Sequence, residues 1–173
     1  MIEICYNSFS NRYREDYDMT RVMFVCHGNI CRSPMAEFIF KDMVKKAGIA
    51  DSFVISSAAT STEEIWNGIG SPIYPPAREE LRRHGIAFTE RRATLLRPDD
   101  LDEYDLFIGM DNANIRNMHR ILGMAGAEKI RRMMDFTSRP GEVSDPWYSD
   151  RFDEAYRDIY EGCRGLLQYL LKQ

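Results

Sequence analysis

Eight residues, Cys26-His27-Gly28-Asn29-Ile30-Cys31-Arg32-Ser33, follow the apolar run Val22-Met23-Phe24-Val25 and lead into Ser33-Pro34. Beyond them Met35, Phe38, Ile39, Met43 and Ala47 recur at helical spacing up to Gly48. The apolar run is strand length, and Ser-Pro is a helix start, because the N–H that proline lacks would be unpaired in the first turn. A strand, a tight loop and a helix in that order constrain the chain more than any other feature. They call for a parallel sheet whose strands are joined through helices packed on its faces.

The rest of the chain continues the alternation. Phe53-Val54-Ile55-Ser56-Ser57 reads as a second strand, followed by a long polar loop with Gly68, Gly70, Pro72, Pro75 and Pro76 and a helix over about 77–84 closed by Gly85. A third strand, Leu106-Phe107-Ile108-Gly109-Met110, comes after the acidic segment 99–105, and Asp111 caps a helix reaching about Leu122. A fourth strand is expected near 130–135. The last helix, about 153–170, carries the stripe Phe152, Ala155, Tyr156, Ile159, Cys163, Leu166, Leu167 and Leu170 at the 3.6 period. The expected fold is a single three-layer α/β domain over 21–173, with a four-stranded mostly parallel sheet and helices on both faces. Residues 1–20 read as an N-terminal extension. Ligands of such sheets sit beyond the carboxyl ends of the strands, which is where Cys26 falls.

Composition narrows the function. Of 173 residues, 29% are charged, with 23 Lys+Arg against 27 Asp+Glu for a net charge of −4, so a basic nucleic-acid footprint is missing. No apolar run approaches the ~18 residues of a membrane span and the N-terminus lacks a signal-peptide core, which points to a cytoplasmic protein with no membrane partner. The four cysteines, Cys5, Cys26, Cys31 and Cys163, form no Cys-x-x-Cys and the three histidines are scattered, so neither a metal nor a cofactor is expected.

The loop carries the chemistry. Between a strand and a helix, its backbone N–H groups converge on one point, and with the helix N-terminus they make a seat for a tetrahedral dianion. Arg32 adds a fork that matches two phosphate oxygens. The same positive field favours a thiolate at Cys26. Gly28 permits close backbone approach, Asn29 tolerates a left-handed turn, and the Ser33 hydroxyl is placed to donate to the sulfur. Asp145, on a loop with Trp147 and Tyr148, is a candidate proton donor to a leaving oxygen, and the two aromatics are candidate walls of a slot for an aromatic substrate.

VCHGNICRSP resembles the signature of the low-molecular-weight protein tyrosine phosphatases. Ser57-Ala58-Ala59-Thr60-Ser61, His84-Gly85-Ile86, Gly109-Met110-Asp111 and Asp145-Pro146-Trp147-Tyr148 resemble further landmarks of that family in the same order, over about 21–171. The resemblance implies a metal-independent phosphatase of phosphotyrosine or aryl phosphates, inhibited by oxyanions such as phosphate or vanadate. It implies that Cys26 is the nucleophile, Arg32 the phosphate ligand and Asp145 the general acid. His27, Gly28, Asn29, Ile30, Cys31 and Ser33 would build the substrate-binding loop.

Departures define the alternatives. Ile30 stands where similar arginine phosphatases carry threonine, which favours an aryl phosphate over phosphoarginine. Glu63 stands where several members have an aromatic, so it is either part of the slot mouth or a solvated loop residue. Trp66–Pro72 is longer than the usual loop. A small-molecule phosphatase remains open. An arsenate reductase needs further shuttle cysteines, and residues 85–105 have none. A purely phosphate-binding module would have no use for Asp145.

Overall fold

A computed structural model describes residues 19–173, so most of the expected extension, Cys5 included, lies outside the described residues. Its elements are β1 (Thr20–Cys26), α1 (Arg32–Lys46), β2 (Phe53–Ala59), β3 (Ile65–Trp66), β4 (Ile69–Gly70), α2 (Pro75–Arg83), α3 (Asp100–Glu103), β5 (Leu106–Gly109), α4 (Asn112–Leu122), β6 (Ile130–Arg132), α5 (Pro146–Ser149) and α6 (Phe152–Leu170). Four strands form one sheet in the order β2-β1-β5-β6, and every neighbouring pair is parallel. This is the expected fold, a parallel sheet between two helical layers.

The period of two in β1 makes the sheet two-faced. Val22 and Phe24 enter a core with Met35, Ile39 and Phe40 of α1 and Ile159, Cys163 and Leu166 of α6. Met23 and Val25 face the other way, onto Phe107, Met118, Leu122 and Ile130. Phe24 meets Phe40 edge-on with centroids 5.7 Å apart. Such a pair adds about 0.5–1.5 kcal/mol beyond the apolar area it buries.

Four local expectations are corrected. α1 begins at Arg32 with Cys31 as its N-cap, so Ser33 lies inside the helix and its hydroxyl is used elsewhere. α2 starts at Pro75, because both prolines fit a first turn whose N–H groups need no partner. The acidic segment holds a short helix, α3, entered where Asp100 accepts from the Arg97 N–H at 2.7 Å. The fourth strand ends at Arg132 and turns into a 3-10 helix, Met133–Phe136, on which α6 lies closely: a Cβ at Gly162 would strike the Met133 side chain, and one at Gly165 the Phe136 carbonyl oxygen.

The long polar loop is not irregular throughout. β3 and β4 pair as an antiparallel hairpin around Asn67 and Gly68, both at positive φ (50° and 77°). The Arg92 guanidinium donates to the Gly70 carbonyl at 2.9 Å and ties this hairpin to the segment before α3. Among the described residues, no helix is long and apolar enough to cross a membrane.

Candidate active site

The chain leaves β1 for β2 on one side and later returns to β5 on the other. The loop after β1 therefore sits at the point where strand order reverses, and a crevice opens there beyond the strand ends. Residues Cys26 to Arg32 form the floor of a cavity at this place. Glu63, Glu64, Asp145, Trp147 and Tyr148 complete its lining.

Cys26, Asn29, Arg32 and Ser33 are each at most 3% exposed. Asn29 holds φ +58°, the left-handed turn expected of it, and its N–H points at Cys26 Sγ at 3.3 Å. Ser33 Oγ, inside the first turn of α1, lies 3.0 Å from the same sulfur. Cys31 is buried at the helix start. Burial, followed by the negative charges of Cys26 and Asp145, pushes its thiol far up, so it stays protonated. Ile30 is buried, and its carbonyl accepts from the Tyr74 N–H at 2.9 Å, fixing the loop to the start of α2.

Arg32 is held by three acceptors. Its Nη1 donates to Asp111 Oδ2 at 2.7 Å and to the Val143 carbonyl at 3.0 Å, and its Nη2 donates to Asp145 Oδ2 at 2.8 Å. Burial alone would lower the proton affinity of the guanidinium. The negative charges of Cys26, Asp145 and Asp111 outweigh that and hold it above its ordinary value. Asp145 caps α5, its Oδ1 accepting from the Trp147 N–H at 3.1 Å, so one carboxylate joins the aromatic segment to Arg32.

At the mouth, His27 Nε2 and Glu63 Oε2 are 2.9 Å apart in an exposed pair. Trp147 and Tyr148 also line the cavity and are exposed, with Trp147 leaning on Tyr74 at a ring separation of 5.2 Å. Gly28 has Glu64 against it, whose Cγ would lie 3.0 Å from an added Cβ.

The structure thus brings every sequence-predicted site residue to one cavity or its immediate support. Sequence reasoning missed two groups there. Glu64 doubles the acidic side of the mouth. Asp111, read as a helix cap and as part of a family landmark but given no role in the site, does cap α4 by accepting from the Asn114 N–H at 2.7 Å with one oxygen, while the other holds Arg32. The available signal was its place at the end of β5, the strand adjoining β1. His84 stacks on Tyr156 at 3.7 Å, away from this cavity.

The family model for low molecular weight phosphotyrosine protein phosphatase matches residues 21–173. Over 157 residues the chain is 38% identical to low molecular weight protein-tyrosine-phosphatase YfkJ of Bacillus subtilis, covering 90% of this chain and 98% of that one. The crystal structure of YfkJ superimposes with a TM-score of 0.85 over 92% of this chain and 98% of that one, at 36% identity. Over 154 residues the chain is 35% identical to the low molecular weight phosphotyrosine protein phosphatase of Schizosaccharomyces pombe, covering 86% of this chain and 95% of that protein. The chain therefore belongs to the low molecular weight phosphotyrosine protein phosphatase family.

Proposed function

We propose that the chain hydrolyses phosphotyrosine in proteins and related aryl phosphates through a cysteinyl-phosphate intermediate, with Cys26 as nucleophile, Arg32 as phosphate ligand and Asp145 as general acid. The observation that carries this reading is the convergence of Cys26 Sγ, the Arg32 guanidinium and the Asp145 carboxylate on one crevice, with Arg32 Nη2 bonded to Asp145 at 2.8 Å.

A phosphoryl dianion entering the loop is received by backbone N–H groups and the Arg32 fork. The phosphoryl oxygens take over Arg32 Nη2, which frees the Asp145 carboxyl to hold a proton toward the leaving oxygen. Asp111 keeps the guanidinium plane in place during this exchange. The Cys26 thiolate attacks phosphorus in line, and the loop N–H groups and Arg32 stabilise the charge on the equatorial oxygens. Asp145 gives its proton to the phenolate as the P–O bond breaks. Water then attacks the Cys26 phosphoryl group, with Asp145 receiving its proton, and phosphate leaves as the thiolate re-forms. Phosphate and vanadate would bind at the same seat as inhibitors. Trp147 and Tyr148 suit an aromatic ring, and the branched apolar Ile30 suits a phenyl ester better than phosphoarginine.

The test is the Asp145→Ala enzyme assayed on aryl phosphates of graded leaving-group pKa. A phenolate that departs unaided needs no proton, so the loss should be small for good leaving groups and grow to about 10²–10⁴-fold for poor ones. An equal loss across the series would reduce Asp145 to a positioning residue. Equal rates on alkyl and aryl phosphates would move the reading to a small-molecule phosphatase.

A further inference from the structure

Tyr74, the N-cap of α2, stands just outside the cavity, and three contacts tie it to the site. Its N–H donates to the Ile30 carbonyl at 2.9 Å, which fixes it to the phosphate loop. Its ring packs on Trp147 at a centroid separation of 5.2 Å and on Phe152 at 6.0 Å. Trp147 belongs to α5, and Phe152 is buried at the start of α6, so the Tyr74 ring grips the α5 turn and the helix that follows it. α5 is one turn of four residues, closed where the Asp150 N–H donates to the Pro146 carbonyl at 2.8 Å with Asp150 at φ +56°. A single turn has no helical stability of its own, so its placement is set by the side chains that seat it.

Asp145 depends on that placement. Val143 and Pro146 are buried and fix the approach of the chain. The direction of the carboxyl is set by its hydrogen bonds: Oδ1 accepts from the Trp147 N–H at 3.1 Å and Oδ2 from Arg32 Nη2 at 2.8 Å. In the proposed reaction the phosphoryl oxygens take over Arg32 Nη2. Oδ2 is then the oxygen that carries the proton, and the bond from the Trp147 N–H is left to aim it. Trp147 is itself 55% exposed, and Tyr74 is the ring against which it rests.

We propose that Tyr74 is a positioning residue for the general acid, a role that rests on reading Asp145 as that acid. By clamping Trp147 and Phe152 it holds the α5 turn, and through the Trp147 N–H the Asp145 carboxyl, in fixed relation to the phosphate loop. Tyr74 does not line the cavity. Exchanging it for another uncharged side chain leaves the charges around Cys26 as they are, so the change reaches Asp145 through packing.

The test is the dependence of kcat/KM on leaving-group pKa for aryl phosphates, from dinitrophenyl to unsubstituted phenyl phosphate. This constant includes P–O cleavage, the step that needs the proton. A weakened slot wall would lower the whole series alike, whereas a misdirected proton costs only the substrates whose phenolate cannot leave unaided. Relative to the dinitrophenyl ester, Tyr74→Leu should lose a further factor of about two to ten on phenyl phosphate, the span that an aromatic pair of this kind is worth. Tyr74→Phe, which keeps the ring, should have the wild-type slope. In the Asp145→Ala/Tyr74→Leu double variant the slope should be no steeper than in Asp145→Ala, because the acid that the clamp aims is gone. If Tyr74→Leu does not fold, Trp147→Leu opens the same clamp from the other side while keeping the backbone N–H, and its slope should steepen too. A wild-type slope in the deciding variant beside a steepened one in Asp145→Ala would overturn the clamp and leave the general acid standing. A double variant steeper than Asp145→Ala would also overturn the clamp. An unaltered slope in Asp145→Ala itself would overturn both.

Discussion

At the scale of single residues, the proposed function makes the mouth of the cavity the place where phosphopeptides are selected. Glu63 lines it and is paired with His27, and Glu64 stands beside Gly28, so this wall is acidic apart from one imidazole. Acidic residues flanking a phosphotyrosine should be repelled, and basic ones favoured. The Glu63 side chain is 72% exposed, which limits the effect to about 1 kcal/mol or less and leaves it open to screening by salt. Glu63→Gln should therefore lower KM for acidic phosphopeptides two- to fivefold at low ionic strength, and the gain should shrink toward nothing at high salt. A neutral aryl phosphate should respond less. An unchanged KM for acidic peptides at both salt concentrations would mean that their flanking residues never reach this wall. Arg91, whose Nη2 donates to Asn29 Oδ1 at 2.8 Å, shows why parts of the site were illegible at this scale. It stands in Glu90-Arg91-Arg92, a charge run that reads as a solvated face, and only the folded chain brings it to Asn29, 62 positions away. Asp111 was visible as a cap, but its second oxygen depends on the parallel pairing of β1 with β5.

At the scale of elements, α6 packs on the 3-10 helix Met133–Phe136 through glycine as well as on the core through its apolar stripe. Gly165 lets the helix lie against the carbonyl oxygen of Phe136, a backbone atom that cannot move aside as a side chain could. Gly165→Ala should cost about 1–3 kcal/mol, the usual penalty of overpacking, and lower Tm by several degrees. Because neither Gly165 nor Phe136 lines the phosphate-loop cavity, kcat at 25 °C should be kept. A melting temperature equal to wild type would show that α6 slides freely on Met133–Phe136. The stripe of α6 and the β1, β2 and β5 runs were legible because burial imposes a period, 3.6 or 2, or a continuous apolar run on the sequence. β6 was overextended by three residues because Met133, Met134 and Phe136 are buried or half-buried in a 3-10 turn as they would be in a strand. The β3–β4 hairpin had a signal in Asn67-Gly68, a pair suited to two consecutive positive φ values. With two residues in each strand, it had no alternation to support that signal.

At the scale of the whole molecule, the described part of the chain holds several weak acids in places where their ionised forms are disfavoured, and this sets its response to alkali. Burial pushes the Cys163 thiol up, in a core where its Sγ lies 3.8 Å from the Ala36 carbonyl. Cys31 is pushed the same way by burial and by the neighbouring negative charges. Tyr156, under the His84 ring, is pushed up to about 12 by burial, with Tyr160 and Asp42 adding to it. In the unfolded chain thiols lose their protons near pH 8.5 and tyrosine near 10. Above those values the unfolded state binds fewer protons than the folded one, so stability falls as pH rises. The loss begins near pH 8.5 with the thiols and gains the Tyr156 contribution between about 10 and 12. Each fully buried thiol adds a slope of up to about 1.4 kcal/mol per pH unit. Thermal melts from pH 7 to 10.5 should accordingly show Tm declining above pH 8.5. Cys163→Ala removes one of these groups and also leaves a small cavity, so its Tm should be lower than wild type at pH 7. The diagnostic quantity is the slope, which should be shallower for Cys163→Ala above pH 8.5, bringing the two curves together as pH rises. Parallel curves would mean that the buried thiol ionises as readily in the folded core as in the open chain, and the alkaline loss would have to be carried by surface charge instead.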